Sequence, residues 1–174
     1  MNEKYERQFH TIEPVYAPDS RVLILGSFPS VRSRGDGFFY AHPQNRFWRV
    51  LAAVLEEPVP ETVPEKKEML LRRRIALWDV CASCEVRGSS DSSIRAQEIN
   101  DVPSLIKKTQ VRAVFTNGAA ASALYRRFLE EKTGIRAEAL PSTSPANAAM
   151  KLDRLIEVWC VIGEALAKQE NNLS

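Results

Sequence analysis

Cysteine is scarce in this chain. Cys81, Cys84 and Cys160 are the only three in 174 residues, too few and too odd a number for the disulfide framework of a small secreted domain. No run approaches the roughly 18 consecutive apolar residues of a membrane span, and the opening stretch Met1 to Arg7 has no apolar core of a signal peptide. An excess of one charge is also missing: 24 Lys and Arg against 22 Asp and Glu leave a formal net charge of +2. Proteins that coat nucleic acid by neutralising phosphates are usually more basic, so any such contact belongs to one groove. No Gly-x-Ser-x-Gly elbow, P-loop or dinucleotide fingerprint is present. Cys81-x-x-Cys84 invites a metal, but structural zinc and iron–sulfur sites take four ligands and only Cys160 and two histidines remain. Buried thiols are the expectation, with no metal and no cofactor. The chain reads as a soluble, cytoplasmic monomer, and 174 residues at 44% hydrophobic content suffice for one full core.

What is present is an alternation of apolar strands and amphipathic helices, which predicts a single domain over 1–174. Its fold class is a three-layer α/β/α sandwich with a central, mainly parallel four-stranded sheet. A polar N-terminal arm, 1–20, wraps onto the body through Phe9, Ile12, Val15 and Tyr16; residues 169–174 form a frayed tail. The strands are Arg21–Leu25, Ile75–Val80, Val111–Thr116 and Arg136–Leu140. His42-Pro43 reads as N-cap and first residue of a helix over Gln44–Glu56, followed by a linker, Pro58–Thr62, and a charged helix, Pro64–Arg74. Asn100 or Asp101 caps a short helix to Lys108, and an alanine-rich helix follows Asn117-Gly118 to about Glu131. Ser144-Pro145 repeats the N-cap signal for a last helix with the stripe Leu152, Leu155, Ile156, Trp159, Ile162 and Leu166. Cys81–Ser93 is read as a serine-rich loop, and Arg72-Arg73-Arg74 as a solvated helix end.

In open α/β sheets ligands bind beyond the carboxyl ends of the strands. The loop from Gly26 to Asn45 starts there, so it and the neighbouring rim loops carry the candidate site. Gly26 suits a tight strand-to-loop turn. Asn45, in the first helical turn, projects an amide at the crevice mouth or closes a local backbone hydrogen bond. Asn117 ends its strand at the rim, where an amide either reads a purine edge or caps the following helix. Asp79, beside Trp78 and Val80, accepts hydrogen bonds from rim backbone. Ser142, Thr143, Ser144 and Pro145 precede a helix N-terminus, which favours a phosphate and equally makes a plain N-cap.

Gly26-Ser27-Phe28-Pro29, then Phe39-Tyr40-Ala41-His42-Pro43-Gln44-Asn45-Arg46-Phe47-Trp48, resembles the uracil-DNA glycosylase superfamily. The second block is similar to the mismatch-specific uracil branch. Leu77-Trp78-Asp79-Val80, Arg87–Ser92 and Thr116-Asn117-Gly118 are closer to the hypoxanthine (deoxyinosine) branch. Pro141-Ser142-Thr143-Ser144-Pro145-Ala146 falls where the superfamily places a loop that enters DNA. The resemblance spans about residues 20–165. In the mismatch-specific branch an Asn after strand one helps to activate water; Phe28 stands there in this chain, and the hypoxanthine branch uses an Asn at the place of Asn45.

The resemblance implies a monofunctional glycosylase that flips a deaminated base out of DNA and hydrolyses its glycosidic bond, hypoxanthine first. A uracil or mismatch-specific glycosylase, or a non-catalytic module that binds damaged bases, are the alternatives. Asn45 is the catalytic amide that positions water. Tyr40 is the stacking wall for the base, with Phe39 or Phe28 behind it, although Phe39 has a rival place in the core. Gly26 and Ser27 offer backbone N–H groups to the base edge, and Asn117 reads it. Ser89 and Ser90, with Ser142, Thr143, Ser144 and Pro145, contact the DNA, the implied partner.

Overall fold

The computed structural model describes residues 6–9, 12–86 and 95–172. Its strands are β1 (Glu6–Phe9), β2 (Val22–Gly26), β3 (Ile75–Asp79), β4 (Cys81–Val86), β5 (Arg95–Ile99), β6 (Ala113–Asn117) and β7 (Glu138–Leu140). The helices are α1 (Val31–Asp36), α2 (Phe47–Val54), α3 (Val63–Arg72), α4 (Val102–Lys107), α5 (Ala119–Phe128), α6 (Glu130–Thr133), α7 (Leu152–Trp159) and α8 (Val161–Asn171). The central sheet has the order β3-β2-β6-β7, and every pairing in it is parallel. Residues of β2 alternate between two cores. Val22 and Ile24 face α2, α3, α7 and α8 through Phe47, Leu51, Leu70, Leu155, Trp159 and Ile162. Leu23 and Leu25 face α4 and α5 through Leu105 and Tyr125. A strand covered on both faces has no polar side to show, which is why β2 reads as an unbroken apolar run. The three-layer α/β/α architecture follows.

The stretch after Val80 is a correction. Cys81–Val86 is a strand rather than a loop: β4 pairs antiparallel with β1 and β5 in a second, three-stranded sheet. The register slips between Cys81, Ser83 and Cys84, so all three side chains are buried despite a spacing that simple alternation would split. Burial, with Cys84 and Asp79 nearby, pushes the Cys81 thiol up to about 12. The arm meets expectation at Ile12 and Val15, both buried, with Val15 bridged to Leu77. Phe9 and Tyr16 are exposed instead; the arm is anchored by strand pairing, and Phe9 lies under the Arg7 guanidinium.

Two helix starts also differ. His42 Nδ1 accepts from the Gln44 N–H at 3.1 Å, a local turn that delays α2 until Phe47, with Arg46 as N-cap. Ser144-Pro145 starts no helix; α7 begins at Leu152 with Lys151 as N-cap. Residues 144–150 are held in turns because the Arg46 guanidinium takes the carbonyls of Ser144 and Asn147 at 2.9 Å each, and that of Met150. The Ser144 and Asn147 carbonyls also accept the N–H groups of Asn147 and Met150, at 3.0 and 3.4 Å, i+3 turns in place of the i+4 bonds of a helix. Among the described residues no helix is long and apolar enough to cross a membrane.

Candidate active site

Parallel pairing brings the carboxyl ends of β2, β3 and β6 to one rim, and a cavity of about 280 Å³ opens there. That is near the lower end of the roughly 300–1,000 Å³ common for ligand pockets, a size that suits one planar base. Gly26, Ser27 and Phe28 border it from the loop after β2; Phe39, Tyr40 and Asn45 from the segment before α2; Asp79 and Asn117 from the ends of β3 and β6. Ser142, Thr143, Ser144 and Pro145 border it from the loop after β7. Ser89 and Ser90 lie outside the described residues.

The floor forms where strands meet. Gly26 stands opposite Asp79 in the ladder, and its carbonyl accepts the Val80 N–H at 2.8 Å while that of Ser27 accepts the Cys81 N–H at 3.0 Å. A Cβ on Gly26 would lie 2.4 Å from Asp79 Oδ1 and 3.0 Å from the Tyr40 hydroxyl. The glycine therefore gives the buried Asp79 carboxyl its place at the cavity floor. The Asp79 backbone carbonyl is held by Asn100 Nδ2 at 2.9 Å.

The aromatic wall is ordered from behind. Tyr40 stacks on Phe47 with centroids 4.1 Å apart and planes 18° inclined, so one face of its ring is already covered. Phe39 is buried, packs edge-on to Phe38, and its carbonyl accepts the Trp48 indole N–H at 3.2 Å. It therefore belongs to the core and backs the cavity at once. Phe28 is buried with the Arg34 guanidinium 5.2 Å from its ring centre.

Asn45 lies two residues ahead of α2, half-buried at the cavity edge. Its Oδ1 accepts from the Phe47 N–H at 2.9 Å and from the Thr143 hydroxyl at 2.9 Å. Asn117, expected to read a base edge or cap α5, lines the cavity and is tied to Thr143: Nδ2 donates one N–H to Thr143 Oγ1 at 3.0 Å, and Oδ1 accepts the Thr143 N–H at 3.1 Å. Gly118, not Asn117, is the N-cap of α5. Thr143, expected among the DNA-contacting hydroxyls, is wholly buried and faces the protein; with its hydroxyl on Asn45 and Asn117 it has no surface for a phosphate. Ser142 Oγ accepts the Ser144 N–H at 3.1 Å, and Pro145 is exposed at the tip.

The sequence does not show the role of Arg46 or the direction of Thr143. Arg46 ties the 143–150 loop to α2, and its only sequence signal is its place beside Asn45. Thr143 was legible as a motif residue, but its inward turn depends on partners 98 and 26 residues away. Among the described residues no group of three or more His, Cys, Asp or Glu could hold a metal ion.

The model of the uracil DNA glycosylase superfamily matches residues 13–163, a span that takes in every wall of this cavity. The chain belongs to the uracil DNA glycosylase superfamily. A hypoxanthine DNA glycosylase of Methanosarcina acetivorans is 36% identical over 138 residues, covering 78% of this chain and 86% of that one. One of Methanosarcina barkeri is 34% identical over 137 residues, covering 77% and 85%. A solution NMR structure from M. acetivorans, solved as that of a candidate uracil DNA glycosylase, superposes with a TM-score of 0.80 at 31% identity, over 93% of this chain and 99% of that one.

Proposed function

We propose that this superfamily member is a monofunctional DNA glycosylase that releases hypoxanthine from deoxyinosine. The observation that carries the reading is the joining of Asn45 to a one-base cavity walled by Tyr40, with Phe28 where a uracil-type enzyme of the mismatch branch has an amide. The two Methanosarcina relatives, named for hypoxanthine, support the same substrate. A flipped base stacks against Tyr40, with Gly26, Ser27 and Phe28 along its edge. The bond from the sugar carbon C1′ to base nitrogen N9 breaks, and its electron pair leaves on the base. The water oxygen bonds to C1′, and the two water hydrogens end on the new sugar hydroxyl and on the base. A neutral amide is a poor base, so Asn45 contributes through orientation and electrostatics.

Ser142, Ser144 and Pro145 are the DNA-facing tip in this reading, and among the described residues no lysine borders the cavity to form a Schiff base. The setting is a cytoplasmic monomer acting on DNA. Incubation with oligonucleotides carrying inosine, uracil or xanthine, followed by alkali, tests it. Breaks at inosine in excess of those at uracil are expected. Tight binding without base release, or breaks at uracil alone, would overturn the reading.

A further inference from the structure

Asn45 meets the cavity with one end of its amide, and the backbone decides which. A backbone N–H can only donate, so the atom facing the Phe47 N–H at 2.9 Å is the side-chain oxygen. Asn117 is fixed in the same way, by the Thr143 N–H on its Oδ1 at 3.1 Å. Its Nδ2 therefore donates to Thr143 Oγ1, which leaves the single Thr143 hydroxyl proton for Asn45 Oδ1 at 2.9 Å. Donation runs one way, from Asn117 through Thr143 to Asn45. Two donors fill both lone-pair positions of Asn45 Oδ1, and only its NH2 group is left to offer the cavity.

We infer that Thr143 is a positioning residue that locks Asn45 as a hydrogen-bond donor at the reacting centre. The inference rests on the glycosylase reading given above. An amide whose oxygen is saturated cannot take a proton from the attacking water. Its N–H groups can instead meet the negative charge that builds on the departing base as the C1′–N9 electron pair moves onto it, in a site where donors are already in place. Thr143 is suited to the task because it is held on every side. It is fully buried, and its carbonyl accepts the Arg46 N–H at 3.1 Å and Arg46 Nε at 3.4 Å. A buried hydroxyl with both its donor and acceptor sides satisfied keeps one arrangement.

The test compares four substitutions and one double variant in single-turnover release of hypoxanthine. Asn45→Asp replaces the outward donor by an acceptor, and is expected to be as slow as Asn45→Ala, roughly 10²–10³-fold below the parent. Thr143→Val is expected to lower the single-turnover rate constant by roughly 10–10²-fold with the half-saturating protein concentration nearly unmoved, Thr143→Ser to recover most of that loss, and Thr143→Val in an Asn45→Ala background to add nothing. An Asn45→Asp enzyme at or above parental rate overturns the inference, as does a Thr143→Val loss that persists undiminished beside Asn45→Ala. If Thr143→Val does not fold, the Asn45→Asp comparison decides alone. Hydrogen-bond scalar coupling between the Phe47 amide nitrogen and the Asn45 side-chain carbonyl carbon reads the geometry without any substrate. Its absence overturns the inference; its presence in a chain that releases no base overturns the proposed function instead.

Discussion

Tyr40 lies flat on Phe47, ring centroids 4.1 Å apart, and holds a backbone φ of +52° to do so. A left-handed conformation costs a non-glycine residue roughly 1–2 kcal/mol, and the stack and the cavity wall are what hold it. Phe47 is in turn wedged edge-on against Trp48 and Trp159. The wall is thus continuous with the main core.

Tyr40→Ala is therefore expected to lower kcat/KM for inosine by about 5–150-fold, the equivalent of roughly 1–3 kcal/mol of base stacking. Tyr40→Phe, which keeps the ring, is expected to retain most of the activity. Steady-state kinetics on the two variants separate the ring from its hydroxyl.

Gly26→Ala tests the floor. The added methyl would stand 2.4 Å from Asp79 Oδ1, so either the carboxyl leaves its place or β2 and β3 part at the rim. Loss of base release together with a lowered Tm is the expected result, read by the oligonucleotide assay and thermal unfolding.

Arg46→Lys tests the clamp on the 143–150 loop. Lysine keeps the charge but not the fork that reaches Ser144, Asn147 and Met150 together. Affinity for inosine-containing duplex is expected to fall, and amide exchange over 143–150 to quicken, while the α2 core stays protected. Hydrogen exchange and a binding titration check both parts.

Glu57 gives a pH test remote from the site. Burial alone would raise its pKa, but hydrogen bonds and charge from Arg72 and Arg73 outweigh that and hold it below 4.5. Its oxygens lie 2.7 Å from Arg72 and 3.3 Å from Arg73. A lowered carboxylate pKa contributes stability above its unfolded value and loses it as pH falls through the folded one. Glu57→Gln is thus expected to lower Tm at neutral pH, with the gap to the parent closing below about pH 4.5. Thermal unfolding across that range is the measurement.

The central sheet was legible in the sequence because buried parallel strands leave an unmistakable run, as Val22 to Leu25 does. Once the strands are known, their parallel ends put Gly26, Asp79 and Asn117 on one rim, and the site falls out of the topology. β4 was not legible: a slipped register at Ser83 and Cys84 erases the alternation by which a strand is recognised. The start of the last helix is not legible because Ser144-Pro145 carries the local signal, while the turns over 144–150 are pinned by the Arg46 guanidinium, about a hundred residues away in sequence. Thr143 shows the same limit, since a hydroxyl reads alike whether it faces DNA or an amide.

Release of free hypoxanthine from a single-inosine duplex under excess protein, parent against Asn45→Ala, tests the central claim most directly. The account predicts stoichiometric release by the parent, and by Asn45→Ala a rate roughly 10²–10³-fold lower with folding intact. Equal rates from the two chains would contradict it.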